Sequence, residues 1–192
     1  DTNIVISNNY ISAGENTISR GGAIYNDVNG LFTIDADGGT ADFEKNSAKE
    51  GGAVYNAANN TSLGGVKSSF QIAAGKGKIS FVENTATTGG AFYNAGTFTA
   101  VDGNLVFSDN HAIGKASVKG GALGNASTGT AILKYVQFSN NYAENSSGDV
   151  YGGSVYNEGK ITITGASFEN NYGKTTSDTG IAYGGAWVNS TA

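Results

Sequence analysis

Asp35 and Asp37 form an acidic pair at strand spacing in the segment DADGGTADFE at 35–44, and Asp42 and Glu44 follow closely. Side chains two apart on a strand share a face. The pair could therefore hold a hard cation such as Ca²⁺, or handle a proton during cleavage of an acidic polysaccharide. The segment lacks the spacing of a calcium loop, however, and its glycines read as a solvated turn between strands, where an ion would be structural rather than catalytic. His111 is the single histidine. Nothing at a recognisable spacing would orient it as a general base, so it reads as the start of a surface loop. Arg20 reads as a loop charge. AGKGKIS at 74–80 holds a G-x-G without the spacing or strand-to-helix setting of a phosphate loop, and reads as a basic turn. The 192 residues contain no Cys, hence no thiolate nucleophile, thiolate metal site or disulfide. No catalytic, metal-ligating or cofactor-binding residue is assigned, and no cofactor is expected.

The charge balance narrows the partners. Lys and Arg number 11 against 16 Asp and Glu, a net charge of −5. Tracking phosphates needs clustered positive charge, so nucleic acid is not expected. No apolar run approaches a membrane-spanning length, so no membrane insertion is expected within the segment. The first residues, DTNIVISNNY, lack the basic and apolar regions of a signal peptide. The chain also lacks Met, which predicts that 1–192 is a single repeat segment of a longer protein.

Two motifs alternate through the whole chain. One reads GGAIYN at 21–26, GGAVYN at 51–56, GGAFYN at 89–94, GGALGN at 120–125, GGSVYN at 152–157 and GGAWVN at 184–189. The other reads ISNN at 6–9, FEKN at 43–46, FVEN at 81–84, FSDN at 107–110, FSNN at 138–141 and FENN at 168–171. The shortest spacings, 16 and 8, add to 24 residues, and the excess elsewhere is loop insertion. A unit this short, without helical periodicity, suits one coil of a parallel β-helix. Period-two alternation points Phe43, Phe81, Phe107, Phe138 and Phe168 inward, with a second inward set at Phe32/Ile34, Phe70/Ile72, Phe98/Ala100, Ala131/Leu133 and Ile161/Ile163. The predicted fold is all-β: a right-handed, single-stranded parallel β-helix of about six coils with three short strands each.

Coils stacked about 4.8 Å apart place equivalent side chains above one another, so recurrent residues become ladders. Asn9, Asn46, Asn84, Asn110, Asn141 and Asn171 form one amide column; Asn26, Asn56, Asn94, Asn125, Asn157 and Asn189 form the other. Asn suits both amide stacking and the left-handed bend of a turn. The five Phe of the F-x-x-N motif form an internal aromatic stack, and Tyr25, Tyr55, Tyr93 and Tyr156 a partial one, broken at Gly124 and Val188.

The alternating F-x-x-N and GGA-[ILV] motifs resemble the chlamydial polymorphic membrane protein repeat. The resemblance runs through Phe43–Asn46, Phe81–Asn84, Phe107–Asn110, Phe138–Asn141 and Phe168–Asn171, with GGA at 21, 51, 89 and 120, and covers almost the whole chain. It implies an adhesin passenger of an autotransporter, at the bacterial cell surface or outside the cell, anchored in the outer membrane through a domain not present here. The chain departs from the family in lacking cysteines and in extending GGA to GGAxYN, so a related adhesin from another bacterium fits as well as a chlamydial one.

Three consecutive coils carry long polar segments between the ladder Asn and the glycine pair: 111–119, 142–151 and 172–183. Read as loops from one corner, they offer Tyr142, Tyr151, Tyr172 and Tyr183 as contacts for a host-cell protein or glycan, or another adhesin copy. Shortening 142–151 to four residues should then leave the fold intact. The competing class is a carbohydrate-active β-helix, a polysaccharide lyase or hydrolase. N-x-S/T matches at Asn59, Asn60, Asn125, Asn145 and Asn189 mark exposed turns.

Overall fold

The computed structural model describes residues 3–14, 17–59 and 68–190, and Asn60 lies outside them. Every strand pairing in the named sheets is parallel, coil upon coil, which makes the fold a parallel β-helix. No helix of the described residues is long and apolar enough to cross a membrane.

Alternation along each strand fills the interior in register. Ile24, Val54, Phe92, Leu123, Val155 and Trp187 stand in one file. Phe43, Phe81, Phe107, Phe138 and Phe168 form a second. Phe32, Phe70, Phe98, Ala131 and Ile161 form a third. Together they form one apolar core, except that Phe168, predicted to point inward, is exposed in the last coil. The F-x-x-N rings stack at 4.7, 4.9, 5.1 and 4.9 Å between centroids.

Both Asn columns are continuous hydrogen-bonded chains. In the first, Asn84 Nδ2 donates forward to Asn110 Oδ1 at 3.0 Å and back to the Phe43 carbonyl at 2.8 Å, while its backbone N–H donates to the same Asn110 Oδ1 at 3.0 Å. Asn46, Asn110 and Asn141 repeat the pattern. The second column runs Asn26, Asn56, Asn94, Asn125, Asn157, Asn189 at 2.6–2.8 Å. The left-handed bend falls on the residue before each rung of the first column, not on the rung. Asn8, Lys45, Glu83, Asp109, Asn140 and Asn170 all have φ between 52° and 58°. The Asn itself is kept for its amide, because a side chain with one donor group and one acceptor can bond both neighbours at once.

The paired glycines have two separate causes. The first of each pair, such as Gly89, has φ near 60°, where an L side chain is strained. The second sits against the next coil: a Cβ on Gly90 would lie 1.9 Å from the Gly121 carbonyl oxygen.

Two features differ from the sequence expectation. The two predicted outer strands of each coil share one nine-stranded sheet, and in two coils they run as single strands, Ser69–Val82 and Thr97–Ser108. The pairing shifts register between Ile72 and Lys78, with Ala73 opposite Asp102, and AGKGKIS lies within a strand instead of forming a free turn. The second difference is at the corner read as loops. His111–Gly114, Tyr142–Asn145 and Tyr172–Thr175 join Thr85–Ala86 in a four-stranded sheet; Val118–Lys119, Val150–Tyr151 and Ala182–Tyr183 form a three-stranded one. Alternation continues into these segments, burying Ala112, Val118, Ala143 and Val150 in a small core of their own. Segment 142–151 is the middle layer of this lobe. Shortening it alone would unpair the layers on both sides, so the expectation of an intact fold is corrected.

Ser154 stands in the GGA motif where the other five copies have Ala. Its hydroxyl is buried without a hydrogen-bond partner. Ser154→Ala should raise stability by about 1 kcal/mol, since an unsatisfied buried donor costs about 1–3 kcal/mol. Urea unfolding would show this as a higher midpoint at unchanged slope.

Candidate ligand-contact surface

Corner length sets the relief of the molecule. Between ladder Asn and glycine pair the chain takes 11 residues at 10–20, four at 47–50 and 85–88, then nine, ten and twelve in the last three coils. Two low coils thus lie between raised ones. The step forms a cleft of about 510 Å³, lined by Ile18, Lys49, Glu50, Thr87, Thr88, Lys115 and Ala116. Lys49 ties the first corner down by donating to the Gly14 carbonyl at 2.6 Å, and Ile18 presents an apolar side chain that is 62% exposed. Sequence reasoning missed this cleft, although the signal was there: two short corners bracketed by long ones.

The four candidate tyrosines fall into two surface ladders. Tyr142 stacks on Tyr172 at 5.1 Å, with His111 against its other side at 4.0 Å, and Tyr151 stacks on Tyr183 at 5.0 Å. Tyr172 and Tyr183 are 44% and 42% exposed. The rings are therefore held by strand register, not carried on mobile loops. The ion pair Lys174–Glu144 at 3.1 Å lies between adjacent layers of the same lobe.

His111 is a strand residue, half-buried, and burial lowers its pKa from 6.5 against the opposing pull of Asp109 and Glu83. The unfolded chain therefore binds a proton more readily than the folded one. Stability is complete above the unfolded value and falls as pH drops below about 6.5 toward the folded pKa. Thermal melts should show His111→Gln losing less stability than the intact chain between about pH 7 and pH 5.

Beside the cleft runs the outer tyrosine column, Tyr25–Tyr55–Tyr93, stacked at 5.4 and 5.1 Å. Burial pushes the Tyr93 hydroxyl up to about 12. Gly124 interrupts the column, and Tyr156 resumes it. At the interruption lies a polar notch of about 190 Å³, which shares Glu50 and Thr88 with the cleft. Ion pairs frame it: Arg20–Glu50 at 2.8 Å and Lys119–Glu158 at 3.1 Å. The Arg20 guanidinium lies 4.8 Å from the Tyr55 ring centre and the Lys119 ammonium 4.6 Å from that of Tyr156, so Arg20 is a paired cation and not a loose loop charge.

Residues 40–57 match the Chlamydia polymorphic membrane protein repeat. The matched stretch spans one F-x-x-N motif, one short corner and one glycine-pair motif. Comparison with curated proteins gave no significant match, and neither did comparison with solved structures. The repeat match suggests a surface-associated, passenger-like segment. Within it Phe43, Asn46, Gly51, Gly52, Val54 and Asn56 are all buried. The matched stretch is thus scaffold, and the coils differ from one another in what each inserts around it.

The acidic segment divides: 35–39, just before the repeat, is a turn, and Thr40–Glu44, within it, is a strand. Asp35 Oδ1 accepts the Asp37 backbone N–H at 2.9 Å, both side chains are exposed, and Asp42 is engaged by Thr40 and Ser80 hydroxyls. Among the described residues no three His, Cys, Asp or Glu side chains gather as a metal site. Two N-x-S/T positions are corrected: Asn125 is a buried ladder rung, and Asn145 is buried with its amide donating to the carbonyls of Ala116 and Asp149. Both amides are spent on backbone and ladder bonds, so these are not exposed turns.

Proposed function

We propose that this segment is a non-enzymatic adhesin passenger, a rigid β-helical scaffold at the bacterial surface that presents one corner to a host protein or glycan, or to another copy of itself. The observation that carries this reading is what coincides at one corner. The core files repeat in register while the segments between them vary in length, and at this corner the cleft between Ile18 and Lys115 and the two tyrosine ladders occur together. Variable segments on a rigid frame suit recognition. The polymorphic membrane protein repeat at 40–57 supports the surface setting.

The test compares attachment of the intact chain to epithelial cells with that of a Tyr172→Ser, Tyr183→Ser variant and an Ile18→Ser, Lys115→Ser variant. Both pairs lie on the surface, so melting behaviour should be retained while binding falls at least tenfold in one of them. Equal binding by all three would move the contact away from this corner. Incubation with acidic polysaccharides checks the enzymatic alternative: new reducing or unsaturated ends that vanish in Asp35→Asn, Asp37→Asn would overturn the adhesin reading.

A further inference from the structure

We propose that the missing rung at Gly124 is a subsite for one sugar ring, a neutral pyranose stacked on Tyr93 and hydrogen-bonded by Glu50, Lys119 and Glu158. Gly124 is in register with Tyr93 on one side and Tyr156 on the other. The filled rungs of this column are 5.4 and 5.1 Å apart, so skipping one separates the flanking levels by roughly 10 Å. A ring entering midway would lie about 5 Å from each level, inside the range of aromatic stacking. The space where a side chain would stand is bounded by Thr88 Cγ2, the Gly89 backbone N and Tyr93 Cδ2, at 3.1, 3.3 and 3.3 Å from a Cβ built on Gly124.

Size and chemistry select the occupant. The notch of about 190 Å³ is below the range of about 300 Å³ upward that holds drug-sized ligands, so it takes one ring rather than a chain of them. Its lining is mostly polar: Glu50, Thr88, Lys119 and Glu158. A pyranose offers C–H bonds to a ring face and hydroxyls to carboxylates and an ammonium at its edge. Lys119 already covers one face of Tyr156, which leaves Tyr93 as the platform. Both carboxylates are paired with cations, Glu50 with Arg20 and Glu158 with Lys119, so the notch has no net charge to select an ionised sugar.

The proposal deepens the attachment reading and rests on it only for the use the subsite is put to. Saturation-transfer NMR with methyl glucoside, methyl galactoside and methyl N-acetylglucosaminide tests it, with N-acetyltyrosinamide as the aromatic probe. At least one glycoside should receive saturation at its ring C–H protons. Gly124→Tyr places in the gap the ring that tyrosine supplies in the coils on both sides; with its fold confirmed by circular dichroism, it should bind that glycoside at least tenfold more weakly. Tyr93→Ser should weaken binding similarly by removing the platform, and Glu158→Gln should weaken it by removing an acceptor. Glycoside binding that persists in both Gly124→Tyr and Tyr93→Ser would overturn the proposal, as would binding of N-acetyltyrosinamide alone or of no probe. Cell attachment that survives while glycosides fail counts against the sugar subsite alone. Glycoside binding without cell attachment supports the subsite and counts against the adhesin reading.

Discussion

Asn110→Ala should lower the stability of the β-helix by about 4–6 kcal/mol, the largest loss expected from a single side chain here. The substitution removes four hydrogen bonds: two donated by Asn84 to the Asn110 amide oxygen, and two donated by the Asn110 amide to Asn141 Oδ1 and the Phe81 carbonyl. Each intramolecular hydrogen bond is worth about 0.5–1.5 kcal/mol net, and a buried partner left unsatisfied costs more. The Asn84 backbone N–H is left facing a methyl group in a fully buried corner, with no room for the coils to collapse because their spacing is set by every other ladder. Asn9→Ala is the control. Its side chain is exposed and its amide donates to Asn46 and locally to Ser7, so the loss should stay below about 1 kcal/mol. Urea denaturation followed by circular dichroism would read both. Similar midpoints for the two variants would mean that the column is not a cooperative element. A loss of this size is a large part of the stability of a typical domain, so Asn110→Ala is measured at low temperature to keep it folded.

Phe138→Ala should cost about 3–5 kcal/mol, because a fully buried ring leaves a cavity that its neighbours cannot fill. Phe138 lies between Phe107 at 5.1 Å and Phe168 at 4.9 Å, and both stacked pairs are lost with it. Movement of either neighbour into the space is opposed by strand register, which holds the backbone on both sides. Phe168→Ala, at a ring that is 36% exposed, has only Phe138 and Trp187 as aromatic partners and should cost clearly less. The checking measurement is the difference in melting temperature between the two variants. Equal shifts would show that the stack transmits no more strain in its middle than at its edge.

The sequence by itself determined the scaffold. Alternating F-x-x-N and GGA motifs, with inward residues at period two, identified the coils, the Phe stack and both Asn columns. This was legible because stacking at about 4.8 Å forces like residues into contact, and that requirement is written as repetition. Even Ser154 stands out as the exception to an Ala column before its orphaned hydroxyl is seen. What only the tertiary structure decided is everything that depends on how neighbouring coils match their insertions. The segments 111–119, 142–151 and 172–183 look polar and irregular singly, but three layers together supply the partners that turn them into strands and bury Ala112, Ala143, Val118 and Val150. Asp109, Glu83 and Lys45 carry the left-handed bend because the rung beside them is reserved for an amide, a reason that local propensity does not contain. The cleft and the notch likewise have no motif of their own. A short corner becomes a floor, and Gly124 a gap between rings, only when the coils above and below are taller, because a cavity is made by the difference between neighbours and not by any one of them.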